Sequence, residues 1–157
     1  MAEAAEQARR RDEDLDPCLF CDMLTNGQTD RDNFILWRGE HTFAVLNAYP
    51  YTGGHFMVVP YRHVSHPQEM SPEEARELWS GSMDGVSALG SVYDPEGFNM
   101  GANLGRAAGA GVVGHFHFHV LGRWTGDANF LTTVAEARVL PEALPETWAR
   151  LSQAWPK

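Results

Sequence analysis

Three histidines, His115, His117 and His119, alternate with apolar residues in the C-terminal half of the chain. Residues two apart in a β-strand project to the same face, so an extended segment here presents three imidazoles together while Phe116 and Phe118 face the other way. An imidazole can act as nucleophile, general base or general acid near pH 7. Strand histidines also bind zinc when a coordination position stays open for water. The spacing predicts a catalytic site, with nucleophilic and zinc-dependent chemistry both open.

A glycine-rich segment, 105–114, immediately precedes the histidines. Glycines let the backbone approach a ligand closely, and successive backbone amides in such a loop bind phosphate oxygens. The segment reads GRAAGAGVVG, so it offers backbone amides and has no side-chain hydroxyl or carboxamide. Together with the histidines, it favours a functional site.

Cys18 and Cys21 are a second candidate for chemistry. In a chain expected to be cytoplasmic, a C-x-x-C pair favours metal or redox chemistry over a structural disulfide. Two thiolates need two further ligands for a closed zinc site, and the spacing alone does not identify them, so two free thiols are the alternative. A thioredoxin-like role is disfavoured because no βαβ pattern follows.

The composition restricts the partners. The formal net charge is −9, which argues against a nucleic-acid partner. Lys157 is the only lysine, so the positive charges available to a site are those of arginines and histidines. No apolar run approaches the ~18 residues of a membrane-spanning helix. Residues 1–16 lack the apolar core of a signal peptide. We therefore expect a cytoplasmic protein that does not enter a membrane.

The elements that must position these residues follow from the hydrophobic pattern. Apolar runs bounded by turn residues predict five strands, at 34–38, 42–46, 55–59, 98–104 and 115–123. We expect these strands to form an antiparallel sheet, with one main helix between the third and the fourth strand. Residues 1–16 are expected to be a flexible N-terminal extension, and residues 17–157 a single domain.

Two helices complete the predicted α+β fold. Ser71, Pro72 and Glu74 form an N-cap, a first-turn proline and a capping-box glutamate, so the main helix is predicted to begin there and to run to about Val92. Its apolar stripe is predicted to pack in the core and comprises Ala75, Leu78, Trp79, Met83, Val86 and Leu89. A short C-terminal helix is predicted over 141–154.

The segment Gly114–Leu121 resembles the signature of the histidine triad (HIT) family, in which three histidines alternate with apolar residues. The likeness extends to 47–63, to 97–111 and to 123–130 with 139–141, and covers about residues 18–144. The last of these segments is most similar to the bacterial branch that contains dinucleoside tetraphosphate phosphorylases and related hydrolases. The resemblance implies a HIT-like fold and cleavage of dinucleoside polyphosphates, or related phosphorus-linked nucleotides, at the α-phosphate.

The resemblance also implies roles for single residues. His117 would attack the α-phosphorus and form a covalent nucleotidyl-histidine, with its other ring nitrogen held by a backbone carbonyl. His119 would contact a phosphate oxygen and assist the leaving group. Asn47 would bind the ribose, and Asn103 would lie beside the phosphates. Four backbone amides would bind phosphate oxygens, those of Ala110, Gly111, Val112 and Val113.

Members of the family with an N-terminal C-x-x-C pair hold a structural zinc ion through two cysteines and two histidines. The matching positions here are Cys18, Cys21, His63 and His115, which relieves His115 of a catalytic role. His55 would lie beside the triad, either supporting it or serving the fold alone. The family resemblance also implies a homodimer, which we therefore expect.

The glycine-rich loop departs from the family pattern. Many members place a Gln or Ser a few residues before the first histidine, near the leaving oxygen, whereas 109–114 contains neither. Leaving-group assistance, and the choice between water and phosphate as final acceptor, is therefore left open. Three hypotheses remain: a nucleotide hydrolase or transferase, a zinc hydrolase that uses the whole triad as metal ligands, and a non-catalytic nucleotide-binding module.

Overall fold

A computed structural model describes residues 18–128 and 142–157, so the expectations for 1–16 and for 129–141 lie outside the described residues. Five strands form one antiparallel sheet in the order β1-β2-β3-β5-β4. They are β1 Ile35–Arg38, β2 Thr42–Leu46, β3 Phe56–Pro60, β4 Gly97–Gly101 and β5 Phe118–Arg123. The helices within the described ranges are α1 Leu19–Thr25, α2 Pro72–Tyr93 and α3 Leu144–Ala154. The predicted α+β class, sheet, main helix and C-terminal helix are confirmed, whereas α1 was not predicted.

The main helix begins where the capping pattern places it. The Ser71 hydroxyl accepts a hydrogen bond from the Glu74 amide at 3.2 Å, and the Glu74 carboxylate accepts one from the Ser71 amide at 2.7 Å. The two ends of this capping box satisfy backbone donors that the helix itself cannot pair. The helix ends at Asp94, whose left-handed backbone (φ 46°) stops the helical hydrogen bonding.

Helices α2 and α3 cover one face of the sheet, but the predicted stripe of α2 is partly wrong. Trp79 is 57% exposed, and Ala75 is exposed as well. The side that packs on the sheet includes small residues: an added Cβ at Gly81 would lie 2.8 Å from the Trp37 ring, and one at Gly85 would lie 2.1 Å from the Phe56 ring. Aromatic rings from the sheet fill the space that these glycines leave, which a pattern of large apolar residues does not reveal.

Helix α1 covers the opposite face of the sheet. Its Phe20 is buried in a second apolar cluster with sheet residues, namely Ile35, Phe43, Val45, Met57 and Val59. The Phe20 ring centroid lies 5.4 Å from that of His115 and 5.3 Å from that of His117. The histidines therefore project into a face that α1 partly closes.

Two predicted strands are shorter than expected. β4 ends at Gly101 and not at Leu104, and β5 begins at Phe118 and not at His115. Along β3 the register reaches Val58 opposite Phe118, and Pro60, two residues farther, has no amide to donate. Its carbonyl instead accepts a hydrogen bond from the His115 ring. The alternation persists all the same, since Phe116, Phe118 and Val120 pack on the side of α2.

The β1–β2 turn is tied to α2 by one carboxylate. Glu77 accepts hydrogen bonds from the backbone amides of Glu40, His41 and Thr42 and from the Thr42 hydroxyl, at 2.6–2.9 Å.

No described helix is long and apolar enough to cross a bilayer.

Candidate active site and metal centre

His117 and His119 lie side by side at the start of β5, with ring centroids 5.0 Å apart. Both side chains are largely enclosed, at 6% and 8% exposure. Burial lowers the pKa of His117 below its ordinary value. It also lowers the pKa of His119, to about 4, with a smaller contribution from the neighbouring His117. Both imidazoles are therefore neutral at pH 7, the form in which a ring nitrogen carries a lone pair.

The hydrogen bond of His117 selects one of its two neutral forms. Nδ1 lies 2.8 Å from the backbone oxygen of His115, which can only accept, so the proton is on Nδ1. The Nε2 lone pair then points away from the backbone. This is the backbone contact that the family resemblance implies for the attacking histidine.

A chain of three groups selects the form of His119. The Tyr51 amide donates to His55 Nδ1 at 3.1 Å, so the proton of the His55 ring is on Nε2. That Nε2 lies 2.9 Å from His119 Nδ1, which must accept. The remaining proton of His119 is therefore on Nε2, a buried atom with no hydrogen-bond partner among the residues that the structure describes. A buried donor without a partner marks the place of a ligand acceptor.

Four metal-binding side chains converge at the other end of the triad. The donor atoms of Cys18, Cys21, His63 and His115 all lie within 4.8 Å of one another. Sulfur-to-Nδ1 distances are 3.2 Å for Cys18 and His115, 3.4 Å for Cys21 and His63, and 3.7 Å for Cys21 and His115. A tetrahedral zinc ion with ordinary bond lengths sets sulfur and nitrogen ligands about 3.5 Å apart, so the four groups fit this metal.

The protonation of His115 agrees with metal binding. Its Nε2 lies 2.9 Å from the Pro60 carbonyl and donates to it, which leaves the Nδ1 lone pair directed at the thiols. Burial lowers the pKa of this ring to about 4. The cluster contains neither His117 nor His119. Within the described ranges, the three triad imidazoles thus do not form a single metal centre.

The predicted nucleotide-binding residues occupy separate places. His119 and Asn103 line a cavity of about 460 Å³, and Asn47 and 110–113 are not part of its lining. The Asn47 side chain accepts from the Tyr49 amide at 2.9 Å. In the glycine-rich loop, the Ala110 amide donates to the Gly105 carbonyl at 3.3 Å and Val112 packs against the second apolar cluster.

The structure adds residues to the site that sequence reasoning did not assign to it. Tyr51 and Thr52, in the loop between β2 and β3, line the cavity, as do Asn99 on β4 and Asp127 after β5. Asn99 has a sequence signal, since it lies on the polar side of an alternating strand. Tyr51 and Thr52 have none beyond their position in a loop that precedes a histidine.

The fold and the side chains of the site match those of a known protein family. The family model for the HIT domain matches residues 28–126, and the chain belongs to the histidine triad family, as predicted. It is 41% identical over 127 residues to the AP-4-A phosphorylase of Mycobacterium tuberculosis, which is 81% of this chain but 65% of that relative's length. It is 34% identical over 111 residues to a HIT-like protein of Methanocaldococcus jannaschii, covering 70% of this chain and 81% of that one.

Solved structures of the family have the same fold. A zinc-bound histidine triad family protein from Mycobacterium smegmatis matches with a TM-score of 0.69 and 25% identity, over 87% of this chain and 91% of that chain.

Proposed function

We propose that this protein cleaves dinucleoside polyphosphates, or related phosphorus-linked nucleotides, at the α-phosphate through a covalent nucleotidyl-histidine on His117. The observation that carries the proposal is the 2.8 Å hydrogen bond from His117 Nδ1 to the His115 carbonyl. It fixes a neutral ring whose Nε2 lone pair is available for attack. The 41% identity to an AP-4-A phosphorylase supports this substrate class.

The first step follows from the two protonation states. His117 Nε2 forms a bond to the α-phosphorus, and the bond from phosphorus to the bridging oxygen breaks. The released polyphosphate leaves as an ionised oxyanion and accepts a hydrogen bond from His119 Nε2–H. The positive charge on the His117 ring is stabilised by the His115 carbonyl that accepts its Nδ1–H.

The second step transfers the nucleotidyl group from His117 to an acceptor and restores the free ring. The acceptor oxygen bonds to phosphorus, loses its proton to solvent, and the N–P bond breaks. The amides of 111–113, which have no acceptor in the described part of the chain, would bind phosphate oxygens. Water gives a nucleoside monophosphate, and inorganic phosphate gives a nucleoside diphosphate.

A substrate panel with and without inorganic phosphate tests the proposal. We expect diadenosine tetraphosphate to be consumed, with AMP as the product of hydrolysis or ADP as the product of phosphorolysis. His117→Ala should reduce turnover by about 10⁴-fold or more while nucleotide binding persists. Rapid quenching of the wild type should trap an acid-labile nucleotidyl adduct on one histidine.

The control variant is His66→Ala, since His66 lies outside the site. Turnover by the His117→Ala variant at the wild-type rate refutes the covalent mechanism. Mononucleotide binding without turnover of any polyphosphate or phosphoramidate supports instead the non-catalytic module.

We also propose that Cys18, Cys21, His63 and His115 hold a structural zinc ion. The observed sulfur-to-nitrogen distances support this, because they match the edges of a zinc tetrahedron. When bound, the ion would join the start of α1 to the segments that follow β3 and precede β5. The ring of His115 would then bind the metal, while its backbone carbonyl accepts the hydrogen bond from His117.

Three further expectations are part of the proposal. Residues 17–157 form one HIT domain, which agrees with the family match over 28–126. The protein acts in the cytoplasm as a homodimer, as the family resemblance implies. Its partner is a small nucleotide and not a nucleic acid, in keeping with the net charge of −9.

A further inference from the structure

The cavity of about 460 Å³ beside His119 shares His119 and Asn103 with the residues assigned to the first nucleotide, but its lining includes neither Asn47 nor 110–113. Asn47 follows β2, whereas most of the cavity wall comes from β4, β5 and the residues that follow them, with Tyr51 and Thr52 of the β2–β3 loop completing it. His119 and Asn103 belong to both regions. A ligand held at the phosphate-binding histidines can therefore continue into this cavity, whose size lies in the range of about 300–1,000 Å³ that small-molecule sites have.

The far end of the cavity is polar, and its two charged residues in the described part of the chain, Arg123 and Asp127, are paired with each other. Arg123 donates to both carboxylate oxygens of Asp127, at 2.6 and 2.7 Å, and also to the Asn99 side chain. Its guanidinium group lowers the pKa of the Asp127 carboxyl to about 2. A bidentate ion pair attracts additional phosphates weakly, because the carboxylate repels them. Hydroxyls and ring nitrogens, in contrast, find both donors and acceptors there.

An aromatic wall lies close to the histidine. The Tyr51 side chain is 41% exposed, and its ring lies 6.0 Å from that of His119 with an interplanar angle of 23°. Leu121 and Met100 supply apolar surface in the same cavity. A planar group can stack on Tyr51 and bury its faces against these side chains.

We propose that this cavity is a second subsite, which binds the nucleoside of the departing half of a dinucleoside polyphosphate. The inference rests on the proposed function and deepens it. His119 Nε2–H, a buried donor without a partner in 18–128 or 142–157, lies at the junction between the scissile phosphate and this subsite. The leaving group is then recognised by its uncharged end as well as by its phosphates.

Gly101 provides the test, because it lies opposite His119 in the β4–β5 register and lines the cavity. An added Cβ there meets no atom within 4 Å, so a side chain can begin at this position without a clash, and Gly101→Leu is expected to occupy part of the cavity. Gly90→Leu is the matched control, since a Cβ at that position on α2 also meets no atom within 4 Å.

The kinetic experiment compares diadenosine tetraphosphate with adenosine tetraphosphate, which has the same scissile group but lacks the second nucleoside. Gly101→Leu should lower the ratio of kcat/KM for the first substrate to that for the second by about tenfold or more, the effect of losing one stacked base. Gly90→Leu should leave this ratio at the wild-type value. An unchanged ratio in Gly101→Leu overturns the subsite.

A binding measurement separates failure of the subsite from failure of the proposed function. With AMP at saturating concentration, equilibrium dialysis of labelled adenosine should show one site in the wild type and in Gly90→Leu, and none in Gly101→Leu. The same result in a protein that turns over neither tetraphosphate overturns the proposed function and supports the subsite. Adenosine binding equal in all three proteins overturns the subsite.

Discussion

Replacing His55 by Phe should lower the rate of catalysis, because His55 acts on the substrate indirectly, through His119. His55 Nε2–H donates to His119 Nδ1 at 2.9 Å, and its own proton position is set by the Tyr51 amide at 3.1 Å. Phe keeps the ring volume in a site that is 1% exposed, but cannot donate. His119 Nδ1 is then left buried and unpaired, so no contact fixes the tautomer with Nε2–H, and the ring can adopt the Nδ1–H form, in which a lone pair faces the ligand oxygen.

The expected size of the effect follows from the single donor lost. His119 presents one buried N–H toward the ligand, and removal of one such preorganised donor typically lowers kcat about 10²- to 10³-fold. We therefore expect a decrease in kcat of this order for diadenosine tetraphosphate, with a small change in KM. His55→Gln retains an N–H donor and should recover part of the loss.

A double-mutant cycle distinguishes positioning from a general structural role. If His55 acts through His119, His55→Phe should have little further effect on kcat in the His119→Ala background. Steady-state kinetics of the four proteins and a thermal unfolding curve for each provide the measurements. A His55→Phe protein with at least half of the wild-type kcat, or additive losses in the cycle, refutes the reasoning.

Three further predictions concern the metal, the fold and pH. Replacing Cys18 and Cys21 by Ser should reduce the zinc content from about one ion per chain to near zero and lower Tm by about 10 °C or more; normal zinc content by elemental analysis would contradict the metal centre. Glu77→Gln should lower the free energy of unfolding in urea by about 2–4 kcal/mol, because a carboxamide cannot accept all four hydrogen bonds, whereas Glu73→Gln, at an exposed position of α2, should change it little. Equal losses would show that the turn does not depend on the carboxylate. The pKa of His119 is about 4 in the folded chain, and an exposed histidine has about 6.5, so the unfolded chain takes up this proton first. Stability should fall as the pH drops from about 6.5 to about 4, and His119→Phe should reduce that slope in urea titrations at several pH values; an unchanged slope would refute the assignment.

Local patterns in the sequence determined the elements and much of the chemistry. Ser71 and Glu74 specify the start of the main helix because a capping box needs residues only three positions apart. The alternation around His117 places the histidines on one face because side chains in extended backbone alternate. Such features depend on the chain within a few residues, so they can be recognised before the fold is known.

Only the tertiary structure decided which distant groups meet. Residues at 18, 63 and 115 form one donor cluster because α1 packs across the sheet, and no spacing pattern specifies that crossing. Trp79 was expected in the core, but Gly81 and Gly85 are the residues of α2 that lie against the sheet. The rings of Trp37 and Phe56 occupy the space beside these glycines, so a larger side chain does not fit there. The protonation of His119 depends on a backbone amide at Tyr51, sixty-eight positions away in the chain. Long-range contacts of this kind are fixed by the packing of whole elements, which the order of residues along one strand does not record.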